Sequence, residues 1–128
     1  MGLPSGTKWK AANEGGFYDY YSAMETFGSK LPTKEKFEEL MSLCTYTWDS
    51  ERKGANFVST VNGESIFLPA SGYRLCNGNV DGVGAFGDYW SSTPVDLEIA
   101  WGLYFKFSVV EIYGNDHCTG RSVRLVQD

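Results

Sequence analysis

The sequence lacks the residues and patterns on which several large classes of protein depend. Its 128 residues include one histidine and no Cys-x-x-Cys pair. The formal net charge is −5, and the lysines and arginines are spread along the chain. A surface that follows phosphates needs clustered positive charge, so we expect no nucleic-acid partner. No apolar run approaches the roughly 20 residues that cross a bilayer, so we expect no insertion into a membrane.

The first residues also lack the basic region and the apolar stretch of a signal peptide. This pattern fits either a protein made without an export signal or a chain that begins after one. A length of 128 residues is enough to bury one core and too short for two ordinary domains. Residues 1–128 are therefore expected to form a single domain.

The three cysteines, Cys44, Cys76 and Cys118, are odd in number and lack the spacing of metal ligands. This pattern favours buried apolar residues or free thiols at all three positions. A single disulfide with one remaining thiol stays open, and the sequence does not choose its pair.

The chain is rich in aromatic residues and glycine. Aromatic residues make up 16% of it, and 15 glycines indicate many turns and few long helices. Large aromatic side chains give a small domain much buried area, and tyrosine and tryptophan also serve as amphipathic contact groups.

Two helices are predicted in the first half, after an edge strand that directs Trp9 inward. The first helix has Asp19 near its start and Gly28 as its stop, and the second has Thr33 as N-cap and Glu35 in its first turn. Apolar residues at helical spacing in the first helix are Tyr20, Ala23, Met24 and Phe27. Those in the second are Phe37, Leu40, Met41 and Cys44.

Strands are predicted for most of the remaining chain. Residues 46–48 and 56–61 form two of them, joined by a polar loop. Asn62-Gly63 is the strongest hairpin signal, because a two-residue type I′ turn needs positive φ at both positions, and it would pair the Phe57 strand with residues 65–69. Helices followed by strands, without βαβ alternation, indicate an α+β fold and exclude a parallel dinucleotide-binding sheet.

Residues 101–113 alternate between an apolar and a polar side, as expected for strands with one buried face. The predicted inward residues are Trp101, Leu103, Phe105, Phe107, Val110 and Ile112. The predicted outward residues are Gly102, Tyr104, Lys106, Ser108, Val109, Glu111 and Tyr113. Two tyrosines, an acid and a base on one solvent-facing side indicate a recognition surface.

Five segments occur in a characteristic order along the chain. They are residues 2–9 (GLPSGTKW), 31–37 (LPTKEKF), 66–74 (IFLPASGYR), 89–93 (YWSST) and 120–124 (GRSVR). Together they resemble the Fibrobacter succinogenes major paralogous domain, a family common in surface proteins of gut bacteria, and the resemblance covers nearly the whole chain. It implies a C-type-lectin-like fold, with two helices flanking antiparallel sheets, the Trp9 strand beside Val123–Leu125, and a loop-rich C-terminal half that carries the binding surface.

This family also resembles the variable proteins of diversity-generating retroelements, in which codons near the C terminus are rewritten while the scaffold stays fixed. The comparable positions in this chain are the turn after residues 89–93 and the outward strand positions. The ligand-binding residues that the resemblance implies are Val95, Asp96, Leu97, Glu98, Tyr104, Lys106, Ser108, Glu111, Tyr113, Asp116, His117 and Thr119.

Catalysis and metal binding are the weaker hypotheses. His117 lies in a Gly-Asn-Asp-His turn, which is typical of an exposed polar side chain without catalytic partners. Asn115-Asp116 resembles part of the Trp-Asn-Asp motif of calcium-dependent lectins, but Gly114 replaces the tryptophan. The acids that could gather around a cation match no EF-hand, and they are Asp81, Asp88, Asp96, Glu98, Glu111 and Asp116.

Other polar residues of the second half have structural interpretations. Ser91, Ser92 and Thr93 lack a matching His and Asp arrangement and are interpreted as strand hydroxyls. Arg121 and Arg124 are predicted to be structural ion-pair partners. Tyr73 and Trp90 are predicted to be core residues.

The sequence therefore predicts a non-enzymatic domain, without catalytic residues, metal or cofactor, that binds a protein or a glycan. Adhesion at a cell surface or on a phage particle is the setting that the resemblance implies. The alternatives are an enzyme related to formylglycine formation, with Cys76 and Cys118 as its reactive pair, a calcium-dependent sugar binder, and a structural domain of a surface lipoprotein. The ligand and the oligomeric state stay open.

Overall fold

A computed structural model describes Leu3 and residues 5–127; Gly2 and Pro4 of the first resembling segment lie outside the described residues. The helices of the described part are α1 (Tyr20–Phe27), which a 3-10 turn (Gly28–Lys30) follows, and α2 (Lys34–Leu43). Its strands are β1 (Lys8–Trp9), β2 (Cys44–Asp49), β3 (Gly54–Ser59), β4 (Ser65–Pro69), β5 (Tyr73–Arg74), β6 (Val80–Asp81), β7 (Gly87–Pro94), β8 (Ile99–Lys106), β9 (Val109–Asp116) and β10 (Val126–Gln127).

The described strands form antiparallel sheets of order β1-β10, β2-β3-β4, β5-β6 and β7-β8-β9. The predicted α+β class is therefore confirmed. Both helices begin where their caps predict: Asp19 Oδ1 accepts from Ser22 N at 2.7 Å, and Thr33 Oγ1 accepts from Lys36 N at 3.3 Å. Gly28, with φ of 51°, ends α1.

The two ends of the chain lie side by side, as the resemblance implied. Trp9 pairs with Val126 in the β1-β10 ladder. Beyond the ladder, Lys10 N donates to Leu125 O at 3.0 Å and Glu14 N donates to Val123 O at 2.9 Å. The predicted pairing of the Trp9 strand with Val123–Leu125 is therefore displaced: β1 pairs with Val126–Gln127, and the residues that follow β1 donate to Val123 and Leu125.

Apolar side chains of the described residues gather in two buried clusters. The larger joins Phe37 and Leu40 of α2 to Phe57 of β3 and to Leu103 and Phe105 of β8. The smaller cluster packs α1 against the centre of β7 and against the segment of residues 119–126. Its buried members include Tyr20, Ala23, Trp90, Val123 and Leu125. The sheet β7-β8-β9 therefore has one face on the main core, which leaves its other face available.

The predicted type I′ turn at Asn62-Gly63 is wrong, although the pairing of β3 with β4 is confirmed. Gly63 has a positive φ of 73°, and Asn62 does not share it. Ser59 N donates to Glu64 O at 2.7 Å, so residues 60–63 form a wider loop. The Ser59 hydroxyl accepts from the backbone N–H of Val61 and holds that loop.

The prediction that Phe107 points into the core is also wrong, since its side chain is 69% exposed. Lys106 pairs with Val109, so Phe107 and Ser108 form the turn between β8 and β9 and leave the strand alternation. Leu103 and Phe105 are fully buried, as predicted. Trp101 is half-buried, with Lys34 Nζ 4.8 Å from the centre of its ring.

The favoured interpretation of the cysteines is wrong for two of the three. Cys76 and Cys118 form a disulfide with 5.2 Å between their Cα atoms, and Cys44 is a buried free thiol at the start of β2. The two bonded residues lie in turns that are 42 positions apart. No spacing motif marks such a pair, because tertiary packing alone brings the turns together.

Arg124 is buried, and the ion-pair partner predicted for it is not found among the described residues. Its guanidinium instead donates to three neutral oxygen atoms. Its Nε donates to Asn13 Oδ1 at 2.9 Å, Nη1 to Lys10 O at 3.1 Å and Nη2 to Phe67 O at 2.7 Å. Burial lowers the pKa of this guanidinium. The side chain thereby ties residues 10–13 and β4 to the segment of residues 119–126.

Replacing Arg124 with Met should lower the free energy of unfolding by about 3 kcal/mol, because three buried oxygens lose their donor. Urea denaturation at neutral pH measures this difference. Lys8→Met, an exposed change on β1, is the control and should stay within about 0.5 kcal/mol of the parent. Equal stabilities for the two variants would contradict the bridging role of Arg124.

Removing the disulfide with Cys76→Ser and Cys118→Ser should lower the free energy of unfolding by about 4 kcal/mol, since the bond closes a loop with a separation of 42 residues. A reductant should destabilise the parent to a similar extent and leave the double variant unchanged. If all three thiols of the unfolded parent react with an alkylating agent before reduction, the pairing is incorrect.

Candidate functional site

The outward face of β7-β8-β9 brings the predicted recognition residues together. In the register of the sheet, Tyr104 lies between Asp88 and Glu111, and Lys106 is opposite Val109. Tyr113 is opposite Gly102, whose missing side chain leaves the face flat at that point. The prediction that Tyr104, Lys106, Glu111 and Tyr113 share one outward face is confirmed, and their role in binding stays a prediction.

These four side chains line one groove of about 550 Å³, which we call the sheet groove. Tyr73 and the buried pair Asp88 and Arg121 complete its walls and floor. Tyr73 is half-buried and faces the groove, so its prediction as a core residue is wrong, whereas Trp90 is fully buried as predicted. Tyr73 was missed as a site residue because β5 has two residues and gives no alternation pattern.

The floor of the sheet groove holds a buried ion pair. Arg121 Nη1 lies 2.8 Å from Asp88 Oδ1, and the Asp88 side chain is 1% exposed. Arg121 Nε donates to Thr119 Oγ1 at 3.0 Å, and the guanidinium carbon lies 4.8 Å from the centre of the Tyr73 ring. The ion-pair prediction is confirmed for Arg121.

Burial outweighs attraction in this pair. Loss of hydration raises the pKa of Asp88 to about 6, against the opposing attraction of the Arg121 charge. The same loss lowers the pKa of Arg121. Asp88 Oδ2 has no hydrogen-bond partner among the described residues, and the contact at Oδ1 is a close charge pair without aligned hydrogen-bond geometry. The floor therefore carries charge at a cost in stability.

Tyr104 occupies the centre of the sheet groove. Its ring centre lies 5.9 Å from that of Phe86 and 6.4 Å from that of Tyr113. Burial raises the pKa of its hydroxyl, and the negative charges of Asp88 and Glu111 raise it further. The hydroxyl therefore stays protonated at neutral pH and is able to donate a hydrogen bond to a ligand.

Residues 95–98, between β7 and β8, are exposed and ordered by local hydrogen bonds. Asp96 Oδ1 accepts from Glu98 N at 2.8 Å and from Ile99 N at 2.9 Å, which is an Asx-type turn. Val95, Asp96, Leu97 and Glu98 point toward solvent but do not line the sheet groove. Ser108 is exposed in the β8-β9 turn.

The expectation that His117 is exposed is wrong, because only 7% of this residue is exposed. Its ring stacks on Tyr20, with 4.4 Å between centres and 23° between planes. His117 N donates to Glu98 O at 2.8 Å, and Tyr20 N donates to His117 O at 3.0 Å. Thr119 is also buried, and its hydroxyl donates to Asp116 O at 2.7 Å, so neither residue belongs to the open contact surface.

The described residues offer no group of three or more His, Cys, Asp or Glu side chains that could hold a metal ion. The helices of the described part are too short or too polar to cross a membrane. Comparison with protein-family models, with curated proteins and with solved structures gives no significant match to this chain.

Replacing Asp88 with Asn should change how the free energy of unfolding depends on pH. A pKa that folding raises means that the folded state binds this proton more tightly, so protonation of Asp88 stabilises the parent as pH falls from about 6 to about 4. Relative to Asp88→Asn, the parent should gain on the order of 2–3 kcal/mol over that interval. Urea denaturation of both proteins at pH 7 and pH 4 measures the gain.

Asp49 provides the matched control, since hydrogen bonds from Arg52 lower its pKa to about 2. Its stabilising effect is lost mainly as pH falls from about 4 to about 2, so Asp49→Asn should differ from the parent by nearly the same amount at pH 7 and pH 4. A parent that loses stability relative to Asp88→Asn on acidification would show that attraction to Arg121 dominates.

Proposed function

We propose that this chain is a non-enzymatic binding domain whose contact surface is centred on the sheet groove. The observation that carries the proposal is that the four residues singled out by strand alternation line one concave surface over a fixed core. Tyr104 and Tyr113 supply rigid amphipathic contacts at low entropic cost, and Lys106 and Glu111 supply charges of both signs. A protein is the ligand class that this composition fits best, with a glycan as the second class.

We propose further that the fold is C-type-lectin-like and that the domain acts in adhesion at a cell surface. Three features support the fold: the antiparallel pairing of the chain ends, the two helices before the main sheets, and the position of β7-β8-β9 in the second half. They match the arrangement that the resemblance implied.

The same resemblance leads us to propose that a retroelement diversifies the contact residues. The proposed set leaves out His117 and Thr119, because both residues are buried in this structure and neither lines the sheet groove. It keeps Val95, Asp96, Leu97, Glu98, Tyr104, Lys106, Ser108, Glu111, Tyr113 and Asp116. A reverse-transcriptase gene beside a near-copy of the codons for residues 80–126 would support this part, and flanking DNA without one would remove it.

One observation favours the enzyme alternative. The structure joins Cys76 to Cys118, the pair that a relative of formylglycine-forming enzymes would use, and both residues are exposed. Alkylation of the reduced protein separates the two functions: it would abolish an activity that needs the thiols and would leave binding at the sheet groove intact.

Randomising Tyr104, Lys106, Glu111 and Tyr113 together should yield mostly folded variants, because Lys106, Glu111 and Tyr113 are exposed and half-buried Tyr104 belongs to neither apolar cluster. The melting temperature should fall by only a few degrees, corresponding to about 1 kcal/mol. The matched control randomises the inward neighbours on the same strands, Leu103, Phe105, Val110 and Ile112, and should yield mostly unfolded variants. Equal fractions of folded variants in the two libraries would contradict a separate contact face.

Binding itself is tested on arrays of immobilised extracellular proteins and glycans. The binding signals that the parent protein gives should be lost in the double variant Tyr104→Ala and Tyr113→Ala. Phe107→Ala, which removes an exposed aromatic ring outside the groove on the same hairpin, should retain them. Full binding by the double alanine variant would place the contact surface elsewhere.

A further inference from the structure

A second concave surface lies where the start of α1, the 95–98 loop and the residues after β9 meet. This acidic cleft has a volume of about 440 Å³, and its lining includes Asp19, Tyr21, Leu97, Glu98, Asp116 and His117. None of its described lining residues also lines the sheet groove. It therefore forms a separate surface next to the end of the β8-β9 ladder, where Ile99 pairs with Asp116.

The walls of the acidic cleft are negatively charged. Asp19, Glu98 and Asp116 contribute carboxylates, and no lysine or arginine is among the described residues that line it. Leu97 lies at the cleft with its side chain 90% exposed, and Tyr21 presents an exposed ring. Carboxylates beside an aromatic face and an aliphatic side chain favour an organic cation.

His117 is a second and independent indication of a ligand. The residue is 93% buried, lines the cleft, and has two ring nitrogens without hydrogen-bond partners among the described residues. A buried polar group in that state is costly unless a ligand or water completes it. A neutral imidazole has one nitrogen that accepts a hydrogen bond, so a donor group on the ligand would satisfy it.

The site fits a planar organic cation better than a metal ion. No three acidic, histidine or cysteine side chains of the described part converge as metal coordination requires. The lining carboxylates are instead spread around a space large enough for a side chain. A guanidinium group is planar, binds carboxylates through two parallel hydrogen bonds, stacks on aromatic rings and keeps further donors for an imidazole nitrogen.

We infer that the acidic cleft binds a guanidinium group, presented as an arginine side chain by a partner protein. The inference goes beyond the proposed function and does not depend on the sheet groove. Tyr21 covers the imidazole: its ring packs edge-on against His117 at 5.1 Å, and its hydroxyl makes a long 3.4 Å hydrogen bond to Leu97 O. The inference requires this exposed side chain to rotate away from His117 when the ligand binds.

The rest of the cleft is held in place. The disulfide to Cys76 fixes Cys118, the residue after His117, and the backbone hydrogen bond from His117 to Glu98 holds the two walls together. Asp19 is fixed as the N-cap of α1. Such preorganisation lowers the entropic cost of binding a small group.

Titration with N-acetyl-arginine amide tests the inference by NMR at constant ionic strength. His117 is the single histidine of the chain, so its ring gives one assignable signal. That signal should shift in a saturable way with the arginine probe, and less with N-acetyl-lysine amide, whose ammonium group lacks the planar fork. N-acetyl-citrulline amide, the neutral isostere, should leave the signal unchanged. Equal shifts with the citrulline and arginine probes, or no saturable shift with arginine, would overturn the inference.

Two variants separate the contacts. Glu98→Gln should weaken binding of the arginine probe about threefold, because the exposed charge pair between Glu98 and the guanidinium is lost. The control Glu51→Gln, at an exposed acid outside the cleft, should leave binding unchanged. His117→Phe keeps the ring against Tyr20 and removes both nitrogens, and it should weaken binding about fivefold, as followed through backbone amide signals of residues 97 and 98. Unchanged affinity in both cleft variants would refute the site, and neither result alters the array test of the sheet groove.

Discussion

The structure depends on burying the segment from Thr119 to Val126, every residue of which is shielded from solvent. Buried backbone must find hydrogen-bond partners, and this segment finds them in several parts of the chain. Arg121 pairs with Tyr18, Gly120 with Arg74, and Ser122 with Tyr89, before Val126 joins β1. One strand-like stretch therefore connects the first residues, the two-stranded β5-β6 sheet and the main β7-β8-β9 sheet.

This segment also explains how the core and the sheet groove are coupled. From this segment, Arg121 contacts Asp88 at the floor of the sheet groove. Arg124 contacts residues 10 and 13 and β4. Val123 and Leu125, on either side of Arg124, pack into the smaller apolar cluster. The backbone that completes the core thus also positions the Asp88–Arg121 pair at the floor of the sheet groove. The side chains of Lys106 and Glu111, above that floor, take no part in this structural role.

Periodic patterns made part of this structure predictable. Both helices and the two faces of β8 and β9 follow from spacing and caps, because those signals are local and repeat. The Phe107 side chain was misplaced because alternation does not say where a strand ends. The burial of His117 and the bond between Cys76 and Cys118 depend on segments far apart in sequence, and so do the partners of Arg121. Patterns within a segment contain no information about such contacts.

The Asp88–Arg121 pair shows where this chain retains polar groups at the expense of stability. Apolar residues of similar volume at buried ion pairs are often neutral or stabilising, so the fold alone gives little reason to keep the pair. Its position at the floor of the sheet groove gives one under the proposed function: a fixed charge pair, with a carboxylate oxygen that lacks a partner among the described residues, would set the electrostatic potential that the proposed ligand meets. His117 is a parallel case in the acidic cleft, with ring nitrogens that find no partner in the described part of the chain, behind an exposed tyrosine. Both concave surfaces thus combine a costly buried polar group with exposed side chains that the core does not need, which is the distribution expected of binding surfaces supported by a rigid scaffold.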